Sequence, residues 1–259
     1  MERKPKAAPH RILTLARDLQ RRKARERASA FVAEGARVVG ETLRAGVPLR
    51  GALVTADAAD RHADLVAALR TRGVECVTVT DAEFESAADT DRPQGVLCIA
   101  DVPDVALASL PPAALTRVLV LDAIQDPGNV GTLIRTAAAL GAGTVVALPG
   151  TADPWSAKVV RGAAGGHFHV HVTVATLPEL LAALGGAGVP LWAADAGGRP
   201  VRSLPAPDAL ALAVGNEGAG ITPAVRGAAA EVVSLPMAPG VESLNVGVAA
   251  GILLYALAP

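Results

Sequence analysis

From residue 117 onward the chain repeats one pattern: a short apolar run bounded by Gly, Pro, Asp or Asn, then a stretch with apolar residues at helical spacing. The pattern predicts strands over 117–122, 144–148, 168–174, 190–195, 209–214 and 231–235. Helices are expected over 130–141, near 155–164, over 177–185, near 222–229 and over 243–257. Strands alternating with helices predict an α/β fold, a mostly parallel sheet covered on both faces. In such sheets ligands bind beyond the C-terminal ends of the strands, which marks the loops to inspect.

The chain has 259 residues, 51% of them hydrophobic, enough for a second domain ahead of this one. Helices are expected over 12–27 and 29–45, a strand over 51–55, a helix over 60–72, a strand over 76–79, a short helix near 81–88 and a strand over 96–100. The proline-bearing stretch Val102–Thr116 has the composition of a connector. The expected division is a small α/β domain over 1–104, a linker over 105–116 and a larger α/β domain over 117–259.

Charge is unevenly placed. Residues 1–27 hold ten Lys or Arg against three Asp or Glu, a balance of +7, while the remainder holds fourteen against twenty-two, −8. Arg21, Arg22 and Arg25 in the basic end are candidate phosphate contacts, the alternative being a solvated basic helix without a partner. Aromatic residues make up 2% of the chain, so any nucleic-acid contact would rest on charge and backbone groups in place of stacked bases. Cys76 and Cys98 lack the spacing of a zinc site or a disulfide framework and read as strand residues. His167, His169 and His171 alternate along an expected strand, but no carboxylate or cysteine follows at ligand spacing, so no metal is expected. No apolar run reaches the ~20 residues of a membrane span, and the basic N-terminus is unlike a signal peptide, so the expected location is the cytoplasm.

Three loops carry candidate chemistry. In the first, Leu121–Gly131 leads into a helix. Asn129 stands where a helix cap belongs, and Arg135 lies away from the apolar stripe, free to bind a phosphate, stabilise an oxyanion or simply face solvent. In the second, Val214–Ile221, three glycines permit close approach to a ligand. The loop lacks the GxGxxG order and the phosphate-loop lysine, which disfavours pyrophosphate ligands. Glu217 reads equally as a turn residue or a site carboxylate. In the third, Leu235–Val246, Ser243 suits an N-cap, whereas Asn245 is a poor helix former with an amide able to hydrogen-bond across a site.

Together these loops resemble the SpoU, or TrmH-like, branch of the SPOUT RNA 2′-O-methyltransferases. The family's motifs are similar to Asp126-Pro127-Gly128-Asn129-Val130-Gly131 with Arg135, to Gly215-Asn216-Glu217-Gly218, and to Leu235-Pro236-Met237 with Glu242-Ser243-Leu244-Asn245-Val246. The stretch Ser156–Phe168, with Lys158, Arg161 and Gly162, resembles its lysine-arginine-glycine segment. Ahead of the linker, Arg25-Glu26-Arg27, Phe31–Gly35 and Pro93-Gln94-Gly95-Val96 resemble an L30e-like substrate-binding domain.

The resemblance implies a C-terminal trefoil knot, a dimer through the catalytic domains, and methyl transfer from S-adenosylmethionine to a ribose 2′-hydroxyl, with 23S ribosomal RNA favoured over transfer RNA. It implies catalytic roles for Arg135, Asn129, Glu217, Ser243 and Asn245. Leu212, Val214, Gly215, Asn216, Gly218, Leu235, Met237, Leu244 and Asn245 would bind the cofactor, and Lys158 and Arg161 would add RNA contacts. Arginine keeps its proton in proteins, so a role for Arg135 as oxyanion stabiliser and a role as base stay open. A non-catalytic RNA-binding protein of the same fold is the rival from another class.

Overall fold

The computed structural model describes residues 10–241 and 243–258. The chain divides into two compact units, Met1–Pro103 with Trp155–Ala157, and Asp104–Pro154 with Lys158–Pro259. The basic residues Arg3, Lys4 and Lys6 lie outside the described residues, as does Glu242 of the third loop.

The first unit runs α1 (Arg11–Asp18), α2 (Arg22–Ala28), β1 (Ala30–Glu34), α3 (Ala36–Arg44), β2 (Leu49–Thr55), α4 (Ala56–Arg61), α5 (Ala63–Thr71), β3 (Cys76–Val79), α6 (Asp81–Glu85) and β4 (Val96–Asp101). Its four-stranded sheet has the order β1-β4-β2-β3. Strand β4 is antiparallel to both β1 and β2, and β2 is parallel to β3. Its core joins Phe84, Leu53, Leu97 and Ile99 to Ile12 and Leu13 of α1.

Two elements of this unit differ from the sequence reading. The helix expected over 12–27 is broken at Leu19–Arg21, because Arg25 turns inward and donates to the carbonyls of Leu19 (2.7 Å) and Gln20 (2.9 Å) that α1 leaves open. The helix expected over 29–45 is instead β1 followed by α3, parted by Gly35 at φ 95°. All five β1 residues are buried, and a short run with four apolar residues in succession does not distinguish a strand from a buried helix turn.

The second unit runs α7 (Pro112–Leu115), β5 (Arg117–Asp122), α8 (Pro127–Ala139), β6 (Thr144–Ala147), α9 (Ala157–Ala163), β7 (His171–Val174), α10 (Leu177–Ala187), β8 (Leu191–Pro200), β9 (Leu210–Gly215), α11 (Pro223–Ala228), β10 (Glu231–Ser234) and α12 (Val246–Ala256). Its six strands have the order β10-β8-β9-β5-β6-β7, and every pairing is parallel, as the alternation predicts. Val118, Val120, Ala211 and Ala213 of the central strands sit in its core with Leu180 and Leu184 of α10. Leu107 and Leu115, from the stretch read as a linker, are buried in that core.

Register decides which loops meet. Asp122 pairs with Gly215 and Ala193 with Ala213, so the loops leaving β5, β8 and β9 emerge side by side. Helix α12 lies against α8, and glycines make the approach possible: a β-carbon on Gly247 would stand 2.7 Å from the Thr132 methyl, and one on Gly251 3.3 Å from that of Thr136.

Candidate active site

The residue that joins the three loops is Asn129, although not as a helix cap. The cap of α8 is Asp126, whose Oδ1 accepts the Asn129 N–H at 2.9 Å. The Asn129 side chain is thereby left to face the site. Its Nδ2 donates to Glu217 Oε1 at 2.6 Å, and its Oδ1 accepts from Asn245 Nδ2 at 3.0 Å. One amide therefore bridges a carboxylate from the second loop and an amide from the third.

Asn245 is itself held. Its Oδ1 accepts the N–H groups of Gly247 (2.9 Å) and Val248 (3.3 Å), making it the N-cap of α12. The helix expected from Ser243 therefore starts at Val246, and Ser243 is an exposed loop residue. The oddity of asparagine in a first turn is resolved by its standing one residue before the helix, where its short acceptor satisfies orphan N–H groups.

The second loop is a tight hairpin. Asn216 and Gly220 exchange backbone hydrogen bonds at 3.0 and 2.8 Å, and Asn216 Oδ1 accepts from the N–H groups of Gly218 and Ala219. Gly215 has no room for a side chain, since a β-carbon there would fall 2.3 Å from the Gly220 carbonyl carbon. Two bonds stitch this hairpin to the first loop: Asn216 Nδ2 donates to the Ala123 carbonyl at 3.0 Å, and buried Asp122 accepts the Thr222 N–H at 2.7 Å.

Beside the hairpin lies a cavity of about 390 Å³. Val214–Gly220 form one side, Val233–Leu235 with Met237 another, Ser243, Leu244, Val246, Ala249 and Leu253 a third, and Ala194–Ala196, midway along β8, the rim. Of the expected cofactor contacts, Val214, Gly215, Asn216, Gly218, Leu235, Met237 and Leu244 line it. Leu212 does not: it is fully buried within β9, paired with Leu119 and Trp192, two residues too early to reach the cavity. Asn245 stands at the Asn129 bridge and is not part of the lining.

Arg135 is exposed on α8, and among the described residues no hydrogen bond or ion pair engages its guanidinium. Lys158 is exposed and Arg161 half-buried on α9, which packs closely on α8 at Gly131, where a β-carbon would meet the Val159 carbonyl at 2.9 Å. In the first unit Arg21 pairs with Asp18, and Arg22 with Glu26 at 2.7 Å, both on the surface. Arg25 is 7% exposed, so the phosphate contact expected of it is corrected to a structural one.

The three histidines share no strand face. His167 is buried in a 3₁₀ turn against the Pro154 carbonyl (2.8 Å), His169 follows that turn, and only His171 lies on β7. Burial pushes the His167 imidazole down to about 4. Among the described residues no cluster of three or more His, Cys, Asp or Glu could hold a metal, and no helix is long and apolar enough to cross a membrane.

The sequence reading gave no role to Asp122 or Asp195, and quoted Asp126 only as part of a motif without seeing it as the cap. Asp195 had a usable signal, because it ends an expected strand, where ligands of parallel sheets bind.

A parallel sheet with its cavity and polar bridge at the strand ends defines an α/β enzyme that works at the C-terminal edge of its sheet. The chain belongs to the SpoU rRNA methylase family, whose model matches residues 116–255, and residues 12–98 match the MRM3-like substrate binding domain. It is 36% identical over 240 residues to the 23S rRNA (guanosine(2553)-2′-O)-methyltransferase RlmP of Bacillus subtilis, covering 92% of each chain. The AdoMet-bound rRNA methyltransferase of Sinorhizobium meliloti superposes with a TM-score of 0.84 at 28% identity, covering 95% of this chain and 94% of that one. The SpoU methyltransferase AviRb of Streptomyces viridochromogenes, in complex with AdoMet, superposes with a TM-score of 0.86 at 26% identity over 96% and 97%.

Proposed function

We propose that this protein transfers a methyl group from S-adenosylmethionine to a ribose 2′-hydroxyl of ribosomal RNA, most specifically of 23S RNA. The observation that carries the reading is the Asn129 bridge, which gathers Glu217 and Asn245 from two other loops beside the cavity. The relatives and neighbours described above support the cofactor and the RNA class.

The cavity suits the cofactor chemically. Leu235, Met237, Leu244 and Leu253 offer an apolar wall for a purine, while Glu217 brings negative charge toward a cationic ligand. Bound S-adenosylmethionine supplies a methyl group on a positively charged sulfur, activated toward a nucleophile. The protein's part is orientation and charge. Glu217 and Asn245 fix the Asn129 amide, and that preorganised group aligns the RNA ribose. Arg135, with no partner to give up, stabilises the oxygen as its proton leaves to an RNA phosphate or a water, and Ser243 adds a hydroxyl at the cavity edge.

The reading extends to the whole chain. The first unit serves as the RNA reader, with surface Arg21 and Arg22 meeting phosphates, while Lys158 and Arg161 assist beside the catalytic unit. By its family the third loop and α12 form the threaded end of a trefoil knot; Arg117 donates to the Leu257 carbonyl at 2.7 Å and ties the end of α12 to the start of β5. The location is the cytoplasm. Val248, Ile252 and Tyr255, 50%, 43% and 76% exposed along α12, form the dimer face. Light scattering at micromolar concentration should return twice the 26.1 kDa chain mass; a monomer would contradict that face. Mapping of 2′-O-methyl positions in rRNA and tRNA, from cells with and without the gene, should show one ribosomal position lost. An unchanged map, or loss of a tRNA position alone, would refute the rRNA assignment.

A further inference from the structure

A second carboxylate at the cavity has no part in the Asn129 bridge. Asp195 lies two residues past the buried stretch Leu191–Ala193 of β8, and its side chain keeps 26% exposure at the rim. It is anchored on both oxygens: Oδ1 accepts the Gly197 N–H at 2.9 Å, and Oδ2 accepts from Arg226 at 2.7 Å. It faces the second-loop hairpin, since a β-carbon on Gly220 would stand 3.9 Å from Oδ2.

The geometry points to Asp195 as the residue that selects the cofactor's ribose, accepting hydrogen bonds from its vicinal 2′- and 3′-hydroxyls. This rests on the methyl-transfer reading of the cavity. An ionised carboxylate offers about four acceptor sites. Gly197 and Arg226 use one on each oxygen, which leaves one on each: two acceptors side by side, the complement of a vicinal diol. The Gly197 N–H above all, with Arg226 adding to it, holds the carboxyl below its ordinary range against the opposing effect of partial burial, so it stays an acceptor at neutral pH. The cofactor's ammonium is the other donor to weigh. Arg226 already neutralises Asp195, which removes most of its advantage for a cation and leaves its advantage for neutral hydroxyls. Glu217, the other carboxylate of the lining, is engaged by Asn129.

The test pairs substitutions with ligand analogues in binding calorimetry on the full chain. The ligands are S-adenosylhomocysteine, its 2′,3′-dideoxy analogue and its deaminated analogue. The wild-type protein should prefer the ribose form over the dideoxy form by about tenfold or more, the worth of hydrogen bonds to a charged acceptor. Asp195→Ala should lose that preference by weakening S-adenosylhomocysteine alone, and Asp195→Asn, near in shape, should lose most of it with an unchanged circular dichroism spectrum. If both substitutions weaken the ribose and dideoxy ligands equally, Asp195 is only structural and the inference fails. It fails also if they abolish discrimination against the deaminated ligand instead, which would assign the carboxylate to the ammonium. A wild-type protein that binds none of the three overturns the cofactor reading itself, and this inference with it.

Discussion

A single asparagine shows how a side chain becomes available for chemistry. At the start of α8 either Asp126 or Asn129 could have capped the helix, and because Asp126 does so, the Asn129 amide turns to Glu217 and Asn245. The two positions should fail differently. Arg135→Ala removes a cation that no hydrogen bond or ion pair engages among the described residues, so turnover should fall by roughly a hundredfold or more while cofactor affinity stays within a few fold, the signature of an interaction made only in the transition state. Asn245→Ala removes both a helix cap, worth about 1 kcal/mol, and the support of Asn129, so stability and turnover should drop together. Paired calorimetry, single-turnover assays and urea denaturation separate the cases; near-normal turnover in Arg135→Ala would remove it from the mechanism. Of the polar candidates only Asn245 sat oddly in its loop; Asn129 read as a helix cap and Glu217 equally as a turn residue, and it was the family resemblance that drew the three together. Their wiring was not legible, since the choice of cap depends on backbone geometry that Asn, Asp and Ser all satisfy locally.

Among the elements, most strands and helices of the second unit were legible as apolar runs alternating with helical spacing, and the parallel sheet follows from that alternation; the strand expected over 168–174 begins only at His171, after a 3₁₀ turn. The first unit was harder. Strand β1 hides between two helices as Ala30-Phe31-Val32-Ala33-Glu34, and only its antiparallel pairing with β4 across sixty-odd residues of sequence makes it a strand. Arg25 teaches the same lesson: in sequence it is one more basic residue, in the structure it closes the break between α1 and α2. Arg25→Met should therefore cost about 2 kcal/mol, the range for charged hydrogen bonds, in denaturant unfolding and leave the salt dependence of RNA binding unchanged. Replacing Arg21 and Arg22 together with Ala should do the reverse, leaving stability nearly unchanged and flattening the slope of log affinity against log salt by up to about two. A flattened slope in Arg25→Met, or none in the double variant, would show that the RNA-facing residues lie elsewhere.

At the scale of the whole molecule, charge is divided along the chain: a short basic segment suited to phosphate precedes a net acidic remainder that carries the cavity and the Asn129 bridge. Neither a knot nor a dimer follows from periodicity, because threading and self-association leave no local trace in hydrophobic spacing. The exposed Val248, Ile252 and Tyr255 became a coherent face only once α12 was placed. Methylation at a ribose is chemically distinguishable from methylation at a base. A 2′-O-methyl group blocks attack of that oxygen on the adjacent phosphate, so the linkage survives alkali. The direct measurement is incubation of the purified protein with methyl-labelled S-adenosylmethionine and 23S rRNA, followed by complete alkaline hydrolysis. Label recovered in an alkali-resistant dinucleotide is the predicted result; label in mononucleotides, or no transfer at all, would contradict the account.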